Sequence, residues 1–168
     1  MLEPVAADLG LLEQPVTAPG VSVAMAPAMS RTVLRAHDAA LLSSIIARPL
    51  PAQIGDVAGG IACLGPDEWL ALLPAGTVLE SGAGQPVSVV DVSSRAVGIV
   101  VEGPGAAALV ATGCPLDIER MAVGRATRTV FETVEIVLWR KAEHTFHIEV
   151  WRSFAPWLGA ALVSAIKL

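Results

Sequence analysis

The feature that most constrains this chain is the absence of charge from the bodies of its helical segments. Ala39 to Ala47, Gly105 to Thr112 and the stretch between Arg152 and Lys167 contain no Asp, Glu, Lys or Arg. In the last of these, Phe154, Trp157, Leu158, Ala161, Leu162 and Ala165 recur at three- and four-residue steps, which predicts a core-facing stripe with Trp157 turned inward. The opposite side reads Ala155, Pro156, Gly159, Ala160, Val163 and Ser164, again without an ion. A helix that is apolar or small all round is normally covered on more than one side, and a chain of 168 residues has little second layer to supply. The expectation is that another protein chain covers part of this surface. The competing explanation is that Ala and Gly are simply tolerated at exposed sites in a composition rich in them.

Composition sharpens this. Charged residues make up 16% of the chain, against about 25% in an ordinary globular protein, and the mean hydropathy is +0.63. A membrane helix needs about 20 consecutive apolar residues, and the longest candidate, Trp157 to Ile166, is half that. Met1 to Gly10 holds Glu3 and Asp8 and has no basic start before an apolar run, so no secretory signal is read and a cytoplasmic location is expected. The net charge is -5 and the eleven Lys and Arg are scattered, so neither nucleic acid nor a membrane is expected as a partner. Cys63 and Cys114 lie far apart with no C-x-x-C pairing, and read as small buried apolar side chains, not as a zinc site or a disulfide.

Along the chain, residues 1–20 show no steady period and are expected to form an extended N-terminal arm outside the core. Strands are predicted over Val21 to Met25 and Arg31 to Ala36, then a helix capped by Asp38 and running to about Arg48 before Pro49. Strands over Ile61 to Leu64 and Trp69 to Leu73 follow, around the turn Gly65-Pro66-Asp67-Glu68. The Gly-rich stretch Ser81 to Pro86 reads as a linking loop. Strands over Val87 to Val92 and Ala96 to Val101 come next, with a helix from Pro104 to Gly113. Thr127 to Phe131 adds a strand. Val134 to Arg140 and Thr145 to Val150 alternate cleanly around Lys141-Ala142-Glu143-His144 as a hairpin. A last helix starts after Ser153. The reading is a single α+β domain over residues 21–168. It is built from two similar strand-strand-helix-strand units, about 21–80 and 87–168, with mostly antiparallel mixed sheets and no doubly wound parallel core.

Few residues nominate chemistry. Gly103-Pro104-Gly105-Ala106-Ala107-Ala108 follows a strand and opens a helix, as a dinucleotide fingerprint does. The helix stops within about two turns, however, and no acidic residue ends a second strand at the right distance, so a plain strand-to-helix turn explains it. His144 and His147 fall at a turn and in a strand, where odd spacing separates side chains. Phe146, Ile148 and Val150 take the inner face, His147 lies beside Thr145 and Glu149, and the histidines read as surface residues. Asp91, at the end of an apolar strand before Ser93 and Ser94, is the best single carboxylate, with capping of the turn as its ordinary explanation. No catalytic, cofactor-binding or metal-binding residue is assigned. Trp139, Trp151, Ala155, Gly159, Ala160 and Val163 are the candidates for a partner interface.

Five ordered segments resemble the γ subunit of heterotetrameric sarcosine oxidase. They are Leu64-Gly65-Pro66-Asp67-Glu68-Trp69-Leu70, Val90-Asp91-Val92-Ser93, Gly113-Cys114-Pro115-Leu116-Asp117, Leu138-Trp139-Arg140 and Arg152-Ser153-Phe154-Ala155. The resemblance runs from about Val21 to the C-terminus; the arm and the Ser81 to Pro86 stretch have no counterpart in it. It implies a fold like the folate-binding domain of the glycine cleavage T-protein and assembly with larger, different subunits into a hetero-oligomer. It further implies that FAD, FMN, NAD and tetrahydrofolate sit on those other subunits, none being bound here. The complex so implied demethylates sarcosine oxidatively to glycine, passes the one-carbon unit to folate, and gives its γ chain no known part in the chemistry.

Two other functions compete. One is a free-standing folate-binding, aminomethyltransferase-like domain using Asp91 or Glu102 as its ligand carboxylate; the other is a structural protein that pairs with itself. Under the subunit reading the isolated chain is expected to self-associate, because its uncharged helix faces lack their cover.

Overall fold

In a computed structural model of the chain, residue 12 and residues 14–166 are described. The elements in order are β1 (Val16–Ala18), β2 (Val21–Met25), β3 (Met29–Ala36), α1 (Ala39–Ile46), β4 (Val57–Ala58), β5 (Ile61–Gly65) and β6 (Glu68–Pro74). There follow β7 (Val87–Asp91), β8 (Ala96–Glu102), α2 (Ala106–Ala111), β9 (Ala126–Phe131), β10 (Val134–Ala142) and β11 (Thr145–Trp151). A single 3-10 turn, Arg152–Phe154, leads into α3 (Ala155–Ile166).

Local chemistry sets the boundaries. Asp38 accepts hydrogen bonds from Ala40 N and Leu41 N at 2.9 and 3.0 Å, capping two donors that the first turn of α1 leaves without partners. The helix ends at Ile46 because Ala47 turns left-handed with φ 51°, so the chain leaves the helix before Pro49 is reached. The hairpin of β10 and β11 is longer than its sequence suggested: β10 continues to Ala142 through an irregularity between Arg140 and Ala142, leaving Glu143 and His144 as the turn.

The described residues form two compact units, those up to 27, 94–123 and 128–166 in the first, residues 28–93 and 124–127 in the second. The first holds a six-stranded sheet in the order β1-β2-β8-β11-β10-β9, the second a five-stranded sheet in the order β4-β5-β6-β3-β7. The pairings β1 with β2, β2 with β8, β8 with β11 and β10 with β11 are antiparallel, as are β3 with β6 and β7, β5 with β4 and β6. The same element order, strand-strand-helix and three strands, occurs in β2 to β6 and again in β7 to β11. The leading strand of each run is exchanged: β2 pairs with β8 and β7 with β3. The compact units therefore do not follow the division into 21–80 and 87–168. Ser81 to Pro86 connects β6 to β7 within the second unit, and no boundary falls there.

The first unit's core is the helix-facing side of its sheet, with Val97, Ile99, Val101, Phe146, Ile148 and Val150 packed with Leu109, Val110, Leu158 and Leu162. Successive strand residues point to opposite faces, so this alternation fixes which side is inward. The second unit buries Leu34, Ala36, Trp69, Ala71 and Leu73 with Leu42 and Ile46 of α1.

Two sequence expectations are corrected here. The described part of the N-terminal arm is tied to the first unit: β1 pairs with β2, Val16 packs against the core, and Leu12, only 2% exposed, is part of it. The inward face of α3 is Ala155, Leu158, Gly159, Leu162 and Val163: Leu158 and Leu162 of the expected stripe are buried and Ala161 and Ala165 pack at its margin, but Phe154 and Trp157 are exposed and Ala155, Gly159 and Val163 take the inner side. Leu12 accounts for part of this rotation, since a Cβ added to Gly159 would sit 3.0 Å from Leu12 Cδ1. Among the described residues no helix is long and apolar enough to cross a membrane.

Candidate functional site

The last strand, the 3-10 turn and the start of α3 present Trp151, Phe154 and Trp157 at three-residue intervals. Trp151 ends β11, Phe154 closes the 3-10 turn and Trp157 lies in the first turn of α3, so consecutive elements bring the three aromatics to one end of the sheet. They are 37%, 47% and 40% exposed. The chain has four Trp, three Phe and no Tyr, and the other four aromatics, Trp69, Phe131, Trp139 and Phe146, are buried. Every exposed aromatic side chain of the protein thus lies within seven residues of sequence.

Two arginines join this face. The Arg95 guanidinium lies over the Trp151 ring, 4.6 Å from its centroid, a cation–π arrangement. Arg152 N donates to Arg95 O at 2.7 Å and Arg152 Nε donates to Ser94 O at 3.0 Å. These bonds tie the Ser94–Arg95 turn to the start of the 3-10 turn and hold the Arg152 side chain on backbone, while the Arg95 guanidinium is placed by its stacking on Trp151. Neither segment that builds the face, residues 92–101 or 150–166, contains an Asp or Glu.

Of the six candidate interface residues, Trp151 is exposed and Ala160 partly so. Trp139, Ala155, Gly159 and Val163 are buried within the fold itself and are withdrawn as surface candidates. Trp139 points off β10 on the side away from the helices, where Lys141 Nζ sits 4.3 Å from its ring centroid. Burial pushes the Lys141 ammonium below the ordinary lysine value, and the Glu149 charge opposes that shift.

The other singled-out residues have structural partners. Asp91 Oδ1 accepts from Ser93 N at 2.7 Å, and hydrogen bonds from the Ser93 hydroxyl and N–H hold the Asp91 carboxyl below its usual range. Ser93 Oγ in turn accepts from Arg31 N at 2.8 Å. Asp91 therefore caps the turn after β7, while Glu102 ends β8 in the other unit's sheet. The Gly103 to Gly105 turn approaches protein backbone: Gly105 N donates to Gly20 O at 2.9 Å, and a Cβ on Gly103 would lie 2.3 Å from that oxygen. Its helix α2 has six residues.

The histidine expectation is corrected in part. His144 is at the surface, but His147 and Glu149 are both buried, and His147 Nε2 is 2.5 Å from Glu149 Oε1. The ring lies over Gly98, where a Cβ would meet His147 Cε1 at 2.6 Å. A glycine in the middle of an apolar strand marks such a close approach, and Gly98 was the signal in the sequence that could have placed His147 inside. Among the described residues no group of three or more His, Cys, Asp and Glu converges as a metal ion would require.

No family model matches the chain. It is 32% identical over 121 residues to the sarcosine oxidase subunit gamma of Arthrobacter sp, covering 65% of this chain and 60% of that protein. It is 32% identical over 140 residues to the sarcosine oxidase subunit gamma of Corynebacterium sp. strain P-1, covering 76% of this chain and 69% of that protein. The match thus spans about three-fifths to two-thirds of the relatives' length. Among solved structures, a chain of the heterotetrameric sarcosine oxidase from Corynebacterium sp. U-96 superposes with a TM-score of 0.85 at 27% identity, covering 99% of this chain and 95% of that one. The glycine cleavage system aminomethyltransferase T from Bartonella henselae gives a TM-score of 0.65 at 15% identity over 86% of this chain and 45% of that one, a likeness of fold. The ordered segments, the paired antiparallel sheets and these likenesses agree, and the chain belongs to the sarcosine oxidase gamma subunit family.

Proposed function

We propose that the chain is the small subunit of a heterotetrameric sarcosine oxidase, held by larger subunits and without catalytic chemistry of its own. The observation that carries this is the match of nearly the whole fold to one chain of such an enzyme. The exposed aromatic face supports it, because isolated soluble proteins seldom leave their large aromatics together at the surface. In this reading the larger subunits hold FAD, FMN, NAD and tetrahydrofolate, and the assembly oxidatively demethylates sarcosine to glycine with transfer of the one-carbon unit to folate. A cytoplasmic location and the lack of nucleic-acid or membrane partners belong to the same reading.

The test is affinity capture of the tagged full chain from its native cell, with identification of co-purifying chains and an assay for sarcosine-dependent peroxide formation. Recovery of flavoprotein subunits with activity is the expected result. Titration of the isolated chain with a reduced folate separates the competing reading: tight, saturable binding would make it a folate-binding domain in its own right.

A further inference from the structure

We infer that the face formed by Trp151, Phe154, Trp157, Arg95 and Arg152 docks an acidic surface of one of the larger subunits. The inference rests on the reading of the chain as a subunit and adds to it the place of contact and the chemistry of the partner.

All the exposed aromatics fall on this one face, although the fold had room to bury four others. Trp and Arg are the residues that most often dominate binding energy, and they do so as clusters from which water is removed on contact. Arg95 is already stacked on Trp151 at 4.6 Å, and the Arg152 side chain donates from Nε to Ser94 O while its backbone N–H donates to Arg95 O. Little side-chain freedom remains to be lost when a partner arrives.

Charge then selects the occupant. The whole chain carries 11 Lys and Arg against 16 Asp and Glu, a net charge of -5. The two segments that build the face carry Arg95 and Arg152 and no carboxylate; of the flanking acids, Glu149 is buried against His147 and Asp91 caps the turn at Ser93, which leaves the face locally positive on an acidic protein. Complementary potentials favour an acidic partner surface and fix its register. They disfavour a second copy of this chain, because a two-fold contact through the same patch would bring two arginine-bearing, carboxylate-free faces together. A head-to-tail contact would not close and would yield open chains of subunits.

The test is coexpression of the full chain, tagged, with the other subunits of its own enzyme, followed by capture and measurement of subunit ratio. Trp151→Ala, Phe154→Ala and Trp157→Ala are each expected to lower recovery of the larger subunits by about tenfold or more. Arg95→Glu is expected to do the same with a loss that deepens as salt is lowered, whereas Arg95→Lys keeps assembly. Val78→Asp, at a position 90% exposed outside the face, is expected to leave recovery unchanged. Thermal unfolding of each purified variant reports whether its fold is intact. Folded face variants that assemble like the wild type overturn the docking face and leave the subunit reading standing. A wild-type chain that captures no larger subunit overturns both. Face variants that lose only self-association assign the face to a second copy and overturn the inference.

Discussion

Replacing Gly98 with alanine isolates the constraint on the face of the six-stranded sheet that carries His147, opposite the helices. Two effects oppose each other. Alanine restricts the unfolded chain, which in a strand favours folding by about 0.5–1 kcal/mol over glycine. Against this, the new Cβ would lie 2.6 Å from His147 Cε1, 2.8 Å from His147 Nε2 and 2.8 Å from the Ala26 Cβ. The ring cannot swing aside freely, because His147 Nε2 is 2.5 Å from the buried Glu149 carboxylate. The backbone cannot retreat, because β8 is paired on both edges, with β2 and with β11. Overpacking of this kind costs about 1–3 kcal/mol, so the clash wins and Gly98→Ala should be less stable by about 1–2 kcal/mol, or about 3–6 °C in a chain of this size. Urea denaturation followed by circular dichroism measures it, with the denaturant slope unchanged. In a His147→Ala background two of the three close contacts are gone, and the same Gly98→Ala step should cost at least about 1 kcal/mol less. A Gly98→Ala protein as stable as the wild type, or an equal cost in both backgrounds, refutes the reasoning.

Three further outcomes follow from the same structure. Leu12→Ala should destabilise the chain by about 2–3 kcal/mol in urea denaturation, because the side chain is buried against Gly159 in the first unit's core; a change near zero would return the segment to the role of a loose arm. The thiols of Cys63 and Cys114 are buried, and burial raises the Cys63 thiol above its ordinary value. Ellman's reagent at mildly alkaline pH should therefore label neither in the folded chain and both after unfolding. The Asp91 carboxyl is held below its unfolded value of about 3.9, so its contribution to stability is complete above that pH and is lost as pH falls through the lower folded value. Asp91→Asn should flatten that acid limb of the pH–stability curve without altering stability's pH dependence near neutrality.

Much of the fold was legible because strand alternation and helix capping are local. Phe146, Ile148 and Val150 alternate with polar neighbours, so β11 and its inward face followed from spacing alone, and Asp38 marked the start of α1 before any tertiary contact was considered. The candidate site was legible only in part. Uncharged helices in need of cover led from the sequence to α3 and Trp151; Leu158 and Leu162 lie inward as the spacing predicted, but Ala155, Gly159 and Val163, read as outer, are buried, and Trp157, read as inward, is exposed. A helix whose every face is apolar or small carries no contrast from which its orientation can be read. Leu12, distant in sequence, supplied part of that contrast.

The amino-acid order by itself determined most of the elements, their α+β succession, the similarity of two strand-strand-helix-strand runs, and the lack of ions in the helices, while the short strands β1 and β4 escaped it. Tertiary structure alone decided which strands share a sheet, since β2 leaves its own run to pair with β8 and β7 does the same with β3. It also decided that His147 and Glu149 lie inside and that Trp151, Phe154 and Trp157 lie outside. The physical reason is that periodicity records what each segment prefers toward water or the core, whereas strand partnership and helix rotation are set by which distant surfaces fit together most closely.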